Sequence, residues 1–405
     1  MFKKSRGRHK RRSIYLGVII VILLLAAAVF NYCRPLPLIY PHSNLQLSAT
    51  KGSALDWPSS GEAAVGAQGY GLLASYGKTT PLPIASVAKL ITALAVLSKY
   101  PLQVGETGPT ITLTQADVAL YQQYQAEDGS VVEVQASEQI SEYQALEAMM
   151  LPSANNIADS LAVWAFGSLT SYTTYANQFV TTLGLTQTHI GTDASGFLPS
   201  STSTPADLVT LGFDVMKSPV LVAIAGEKQA SLPVVGVVKN VNWLLGEDGV
   251  IGLKTGNTTQ AGGVYLFAAD DVVDSSHTVT IIGALQGSAT LQTALDQAIP
   301  LLNSVKQNFT LSQIIGANQV IGYYQTPWRS RVLVVTGSSL TAVVWKNSVP
   351  GVKTYLRPLK PVQAAGTSAG QIGINSAGQL TYIPAHLSEK LNGPPFLWRL
   401  LRHNF

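Results

Sequence analysis

Three serine–lysine pairs in this 405-residue chain have a spacing that suits nucleophilic catalysis. They are Ser48 with Lys51, Ser75 with Lys78, and Ser86 with Lys89. A serine hydroxyl is a weak nucleophile at neutral pH. A lysine three residues further along a helix lies on the same face, near enough to accept the hydroxyl proton. Each pair is therefore a candidate centre for acyl transfer, and the elements that carry the pairs must decide between them.

Local sequence favours the third pair. Ser48 falls in a stretch rich in Pro, Ser and Gly, and Ser75 ends a predicted strand over residues 69–75 that turn residues follow. From Ala85, by contrast, fifteen residues compatible with a helix follow two prolines. The pattern predicts Ser86 and Lys89 at the start of this helix. The alternative is that Ser86 is only the N-cap of a core helix.

Two further motifs occur once each in the chain. Ser153-Ala154-Asn155 forms a polar break between helices predicted over residues 137–150 and 157–166. Lys254-Thr255-Gly256 lies on a strand predicted from Gly249, and a loop over residues 257–262 joins it to a second strand. Further predicted elements are a helix from Thr204 to about Met216, a strand from His277 to Ala284 and a helix from Leu291 to Val305.

In this order the three motifs resemble the signature of the penicillin-binding serine D-Ala-D-Ala carboxypeptidases, relatives of the class A β-lactamases. The resemblance covers residues 66–385. It implies an α+β fold in which a β-lactamase/transpeptidase-like catalytic domain, with an antiparallel sheet flanked by helices and a helical subdomain, precedes a small all-β domain.

The resemblance also implies a role for each motif residue. Ser86 would attack the carbonyl of the terminal D-Ala-D-Ala bond, Lys89 would accept its proton, and Ser153 would pass the proton to the leaving amine. Asn155 would hold the substrate amide and orient Lys89, and Lys254 would add positive charge that lowers the pKa of Lys89. Thr255 would bind the substrate carboxylate, Gly256 would let the strand approach the ligand, and Asn257 would share the oxyanion hole with Ser86 through backbone N–H groups. No cofactor or metal is expected.

The sequence departs from the family pattern in two ways. Class A β-lactamases use a glutamate between the second and third motifs to activate the deacylating water, and residues 148–226 contain none. Bound β-lactams should therefore leave slowly. The carboxypeptidases commonly use an arginine after the third motif, but no arginine occurs between Arg34 and Arg329. Gln286-Gly287-Ser288 occupies the expected place, which leaves Lys254, Thr255 and hydroxyls to bind the carboxylate.

Charge and hydropathy predict a membrane-anchored chain. We expect a basic cytoplasmic tail over residues 1–13, a transmembrane helix over 14–30, a spacer over 31–65, the catalytic domain over 66–306, the β domain over 307–385 and a basic amphipathic tail over 386–405. A cleaved signal peptide is the alternative for the first apolar run. Residues 394–405 could lie on a membrane surface, pack on the β domain or fray. Because the basic excess lies in the N-terminal tail, no nucleic-acid partner is expected.

These observations favour a serine D,D-carboxypeptidase outside the cytoplasm. Its substrates would be peptidoglycan stem peptides, and β-lactam antibiotics would inhibit it covalently. Two alternatives remain open. One is a D,D-endopeptidase that cuts cross-links with the same residues, and the other is a catalytically weak protein that binds the cell wall.

Overall fold

The structure is a computed structural model that describes residues 6–78 and 80–402. Its helices are α1 (Arg6–Cys33), α2 (Ala88–Lys99), α3 (Gln115–Ala126), α4 (Glu142–Met150), α5 (Asn155–Phe166), α6 (Leu169–Thr182), α7 (Pro205–Val215), α8 (Pro219–Gly226), α9 (Leu291–Lys306) and α10 (Phe396–Leu401). Its strands are β1 (Pro41–Ser43), β2 (Glu62–Ala67), β3 (Gly71–Tyr76), β4 (Leu82–Pro83), β5 (Thr110–Thr112), β6 (Gln139–Ser141), β7 (Thr202–Ser203), β8 (Gln229–Leu232), β9 (Gly236–Lys239), β10 (Val250–Thr258), β11 (Gly262–Asp274), β12 (His277–Ser288), β13 (Phe309–Ile315), β14 (Val320–Gln325), β15 (Arg331–Thr336), β16 (Leu340–Trp345), β17 (Gly351–Leu356), β18 (Ser368–Ser376) and β19 (Gln379–Leu387).

The chain divides into two units. The larger unit contains Thr50–Leu311 and returns for a short segment, Val343–Ser348. The smaller unit contains residues 6–49, Ser312–Ala342 and residues 349–402.

A five-stranded antiparallel sheet in the order β10-β11-β12-β2-β3 organises the larger unit. Alternate residues of β11 enter different cores: Val264 and Leu266 face one cluster, whereas Tyr265 and Phe267 face the other. Side chains alternate between the faces of a strand, so this pattern places a buried layer on each side of the sheet. Helix α9 packs on one face, and α7 packs on the other.

The helical layer of the larger unit surrounds α2, whose residues from Ala88 to Ala93 are all buried. Helices α4, α5, α6 and α7 contact it. The sequence predicts a helix beginning near Ser137, but the structure forms β6 there and begins α4 at Glu142. Ser141 caps the helix by accepting a hydrogen bond from the backbone N–H of Gln144 at 3.1 Å, and Gln144 bonds back to the Ser141 N–H.

The smaller unit is built on a six-stranded sheet in the order β1-β14-β15-β19-β18-β17. Part of the predicted spacer belongs to this unit, because β1 pairs with β14 and Ile39 is only 2% exposed. Other parts of the spacer enter the larger unit, including the start of β2 at Glu62. The structure therefore places folded elements within residues 31–65.

Helix α1 contains the stretch Arg11–Cys33, which is long and apolar enough to cross a membrane. Helix α10 packs near its C-terminal end within the smaller unit. Arg402 donates from Nε to the carbonyl of Asn31 at 3.0 Å, and the rings of Tyr32 and Phe396 lie 5.7 Å apart. Trp398 also contacts Trp328 beside β14, with ring centroids 5.2 Å apart. The predicted C-terminal tail is thus packed on the β domain as far as Arg402, and its last three residues lie outside the described residues.

Candidate active site

Ser86 and Lys89 lie together at the start of α2. Ser86 is part of a 3₁₀ turn over Ala85–Val87, and Lys89 follows in the first turn of the α-helix. This helical register places Lys89 Nζ 2.8 Å from Ser86 Oγ. Lys89 is fully buried, whereas Ser86 is half-buried. The other two serine–lysine patterns lack this arrangement, because Ser75 lies in β3 and Ser48 lies outside the described helices and strands.

The Lys89 amine is held by two more acceptors. The side-chain carbonyl of Asn155 lies 2.7 Å from Lys89 Nζ, and the backbone carbonyl of Ser195 lies 3.0 Å from it. Asn155 is the first residue of α5, and its own N–H donates to the Ser130 carbonyl at 2.7 Å. With Ser86 Oγ, these groups give the amine three oxygen partners, which fix its position.

Burial and charge together set the protonation of Lys89. Burial is the main cause that lowers its pKa well below the ordinary value for lysine, and the positive charge of Lys254 lowers it further. The carboxylates of Asp193 and Asp159 act in the opposite direction. Burial also lowers the pKa of Lys254, to about 7. The net result favours a neutral Lys89 amine, the form that can accept a proton.

The strand β10 closes one side of the site. A methyl group at Gly256 would lie 3.0 Å from Ala85 Cβ and 3.1 Å from the Ser86 nitrogen, so a larger residue would force these neighbours to shift by a few tenths of an ångström. Lys254 and Thr255 are both buried, and Lys254 Nζ donates to the Thr255 carbonyl at 3.1 Å. Asn257 follows as an exposed residue. Because β10 is an edge strand of the five-stranded sheet, it is open to pairing with an extended ligand.

Ser153 lies in the loop between α4 and α5, two residues before Asn155. Its backbone has a φ of 67°, a left-handed conformation that costs on the order of 1 kcal/mol for a residue with a side chain. The side chain is 5% exposed, and its Oγ has no hydrogen-bond partner among the described residues. No described hydrogen bond joins Ser153 to Ser86 or Lys89. The assignment of Ser153 to the site therefore rests on its place in the loop just before Asn155.

Several residues that the motifs do not include support the loop that contains Ser195. Asp159 on α5 accepts a hydrogen bond from the Ala194 N–H at 2.8 Å and another from Tyr124 at 2.7 Å. Asp193 accepts from the Ser195 hydroxyl at 2.6 Å. In the sequence, the only sign of a role for Asp159 is that it is an isolated acid in an apolar helix.

Gln286 occupies the place where the family resemblance leads us to look for an arginine. It is fully buried, and its side-chain N–H groups donate to the carbonyls of Leu82 at 2.9 Å and Ser203 at 2.8 Å. Its amide oxygen and the hydroxyl of Ser288 have no partner among the described residues. Gln286 thus ties β12 to the short β4–β7 ribbon, and its amide nitrogen is already engaged.

This arrangement has the parts of an acyl-transfer centre. A buried amine with a lowered pKa lies beside a hydroxyl, and a backbone edge is available to position an extended peptide. Within residues 6–78 and 80–402 there is no group of three His, Cys, Asp or Glu side chains that could hold a metal ion.

Comparison with known proteins identifies the family and the fold. A family model described as D-alanyl-D-alanine carboxypeptidase matches residues 59–283. Penicillin binding protein 6B from Escherichia coli superposes with a TM-score of 0.61 at 19% identity, over 85% of this chain and 99% of that one. Penicillin binding protein 5 from Haemophilus influenzae gives 0.57 at 17% identity, over 87% and 100%. These two show the fold.

A third structure is closer in sequence. The D-alanyl-D-alanine carboxypeptidase from Mycobacterium tuberculosis H37Rv is 26% identical, with a TM-score of 0.53 over 64% of this chain and 95% of that one. A comparison with curated protein sequences gives no significant match. The family match covers more than half of the chain, so the resemblance and the α+β fold class predicted from the sequence are both confirmed. The chain belongs to the D-alanyl-D-alanine carboxypeptidase family and has the fold of the low-molecular-mass penicillin-binding proteins.

Proposed function

We propose that the chain removes the terminal D-alanine from peptidoglycan stem peptides through an acyl-enzyme on Ser86. One observation carries the proposal: Lys89, fully buried and with a lowered pKa, places Nζ 2.8 Å from Ser86 Oγ. A neutral amine at hydrogen-bond distance from a hydroxyl is the geometry that general-base activation requires.

The reaction follows from this pair. Lys89 accepts the Ser86 proton while Oγ forms a bond to the carbonyl carbon of the penultimate D-alanine. The resulting oxyanion is stabilised by the backbone N–H groups of Ser86 and Asn257, and each such donor contributes about 3 kcal/mol in comparable enzymes. The C–N bond then breaks, and the proton passes through Ser153 to the amine of the leaving D-alanine. Water attacks the ester, releases the shortened peptide and restores the Ser86 hydroxyl.

The substrate lies along β10 in this proposal. An extended stem peptide pairs with the open strand edge, and Asn155 holds one of its amides. Thr255 and Lys254 receive the terminal carboxylate. Buried Lys254 supplies positive charge near an anionic ligand, and a bound carboxylate in turn raises the pKa of this lysine from about 7.

We place the catalytic unit outside the cytoplasm, attached through α1. The 23 residues of Arg11–Cys33 extend about 35 Å as a helix, enough to cross a hydrocarbon core of about 30 Å. Basic residues precede this stretch, and such residues favour the cytoplasmic side. Helix α10 lies beside the other end of α1 and exposes Phe396, Leu397 and Leu401, which suits a position at the membrane surface.

Labelled penicillin tests the nucleophile. The full chain, purified in detergent, should become covalently labelled, and Ser86→Ala should abolish labelling. Ser75→Ala is the matched control, because Ser75 begins the same four-residue pattern but lies in a strand. We expect it to label like the wild type. Persistent labelling of Ser86→Ala, or its loss only in Ser75→Ala, would reject Ser86 as the nucleophile.

Purified muropeptides test the reaction. Monomeric stem peptides ending in D-Ala-D-Ala should release free D-alanine, as measured by chromatography. Cleavage restricted to cross-linked muropeptides would instead identify an endopeptidase. Absence of both cleavage and penicillin labelling would identify a wall-binding protein without catalysis.

A further inference from the structure

The larger unit contains a second concave site, away from Ser86. It is a pocket of about 530 Å³ between the edge strand β3, residues 53–57 and the end of β16. Its volume is in the range of small-molecule binding sites. Strand β3 is at the opposite edge of the five-stranded sheet from β10, and four strand spacings separate the two edges by about 19 Å.

The wall of the pocket is held in place before any ligand binds. The side-chain carbonyl of Asn347 accepts a hydrogen bond from the Gly52 N–H at 2.8 Å, and that of Asn308 accepts one from the Ser53 N–H at 2.8 Å. The Asp56 N–H donates to the Ser304 hydroxyl at 2.9 Å. These bonds attach the segment before β2 to α9 and to the residues that follow α9 and β16, so ligand binding would not have to order this segment.

The lining combines aromatic rings with neutral polar groups. Trp57, Tyr70 and Trp345 supply three rings, and Ser75 and Asn347 are among the polar residues. No lysine, arginine, aspartate, glutamate or histidine is among the lining residues. Tyr70 is neutral at physiological pH, because burial raises its pKa to about 12 and its hydroxyl donates to the Val343 carbonyl.

Two tryptophans contribute the largest aromatic rings of this lining. Trp345 is only 6% exposed, and it lines the pocket. One face of Trp57 stacks on Tyr76, with ring centroids 5.6 Å apart and planes 13° apart. Trp57 also lines the pocket. An aromatic ring offers an apolar surface to the C–H side of a ligand ring.

We propose that this pocket binds a neutral saccharide of one or two pyranose rings, supplied by the glycan strands of the cell wall. A pyranose has apolar C–H faces for the aromatic rings of the lining, and its hydroxyl groups suit the neutral polar residues Ser75 and Asn347. An ionic ligand would find no countercharge in the lining. The wall assignment rests on the proposed function, whereas the saccharide chemistry rests on the pocket alone. Such a site holds the enzyme on the polymer without contacting the reacting atoms.

Binding of N,N′-diacetylchitobiose to the full chain in detergent tests the proposal, by calorimetry and saturation-transfer NMR. We expect saturable binding that Ser75→Phe weakens at least tenfold, because the new ring enters the pocket from an exposed position on β3. Ser231→Phe is the matched control, since Ser231 is an exposed residue of β8 outside the pocket. Trp57→Ala should weaken binding to a similar extent.

Three outcomes would overturn the proposal. They are absence of saturable binding, equal binding by Ser75→Phe and the wild type, and displacement of the saccharide by a sugar-free stem peptide, which would indicate strand addition at β3. Penicillin labelling of the same samples separates this inference from the proposed function. Labelling without saccharide binding rejects only the pocket assignment, whereas saccharide binding without labelling rejects only the acyl-enzyme.

Discussion

Substitution of Asp159 by asparagine should stabilise the larger unit at neutral pH. Asp159 is 2% exposed, and one carboxylate oxygen accepts from Tyr124 at 2.7 Å while the other accepts from the Ala194 N–H at 2.8 Å. Asparagine has nearly the same shape. Its oxygen can accept from Ala194, and its NH₂ group can donate to the Tyr124 hydroxyl. The substitution therefore removes a buried charge with little change in packing.

The magnitude follows from the pKa of Asp159. Burial is the main cause that raises it from 3.8 to about 6, despite the two hydrogen bonds. An acid whose pKa is higher in the folded state loses stability as the pH rises from its unfolded to its folded value, here from about 4 to 6. Above pH 6 the penalty is about 3 kcal/mol. The neutral asparagine forms weaker hydrogen bonds than the carboxylate, which costs about 1 kcal/mol. The expected net increase in the free energy of unfolding is therefore about 2 kcal/mol.

Thermal unfolding at two pH values is the assay. For a unit of this size, about 2 kcal/mol corresponds to an increase in Tm of roughly 4–8 °C. We expect this increase for Asp159→Asn at pH 7.5 and a much smaller one at pH 4, where Asp159 is protonated in the folded state and only partly ionised in the unfolded state. An equal shift at both pH values, or a lower Tm at pH 7.5, would refute the reasoning.

The same variant should also shift the pH dependence of acylation. The charge of Asp159 raises the pKa of Lys89, so its removal lowers that pKa further. The acid limb of the rate of penicillin acylation should move to lower pH, and the rate at pH 8 should fall below that of the wild type because the Lys89 amine becomes a weaker base. A movement to higher pH would show that Asp159 does not act on the Lys89 amine in this way.

Three further predictions concern other buried positions. Lys89→Ala should abolish penicillin acylation and leave the circular dichroism spectrum unchanged; a fully active variant would reject Lys89 as the general base. Gly256→Ala should slow acylation at least tenfold, because its methyl group would displace the Ser86 backbone by a few tenths of an ångström. Gly351→Ala is the control. The nearest contact of its methyl group would be at 3.6 Å, so it should have no effect on the rate. Glu142→Gln should raise Tm much more at pH 8 than at pH 5. Glu142 is fully buried, both its carboxylate oxygens lack partners among the described residues, and burial raises its pKa from 4.5 to about 7.

The sequence predicts the local parts of the site well. Ser86 and Lys89 are three residues apart on one helix, so local backbone geometry alone brings them together. The hairpin that contains Lys254 is also local, because turn residues and alternating apolar residues define it. Family resemblance adds the order of the three motifs, and the comparisons confirm the fold that it implies.

The parts that the sequence does not predict depend on distant contacts. The Ser195 carbonyl reaches Lys89 across 106 residues of chain, and no local pattern marks a backbone carbonyl as an amine partner. Gln286 occupies the expected arginine position, but its bonds to Leu82 and Ser203 depend on tertiary packing. Residues 50–57 have no apolar periodicity, yet single side-chain hydrogen bonds attach them to the larger unit.

The strength of the base depends on the same distant contacts. Burial and Lys254 lower the pKa of Lys89, whereas Asp159 and Asp193 raise it. Each acid also fixes the loop that contains Ser195, through the Ala194 N–H and the Ser195 hydroxyl. A residue that only positioned this loop could be neutral. Two buried carboxylates are costly, so their presence is explained better if they also limit how far the pKa of Lys89 falls. An amine with too low a pKa would hold the Ser86 proton weakly and slow its transfer. In the proposed mechanism, the balance between burial and these three charges therefore sets the rate that the serine–lysine pair can reach.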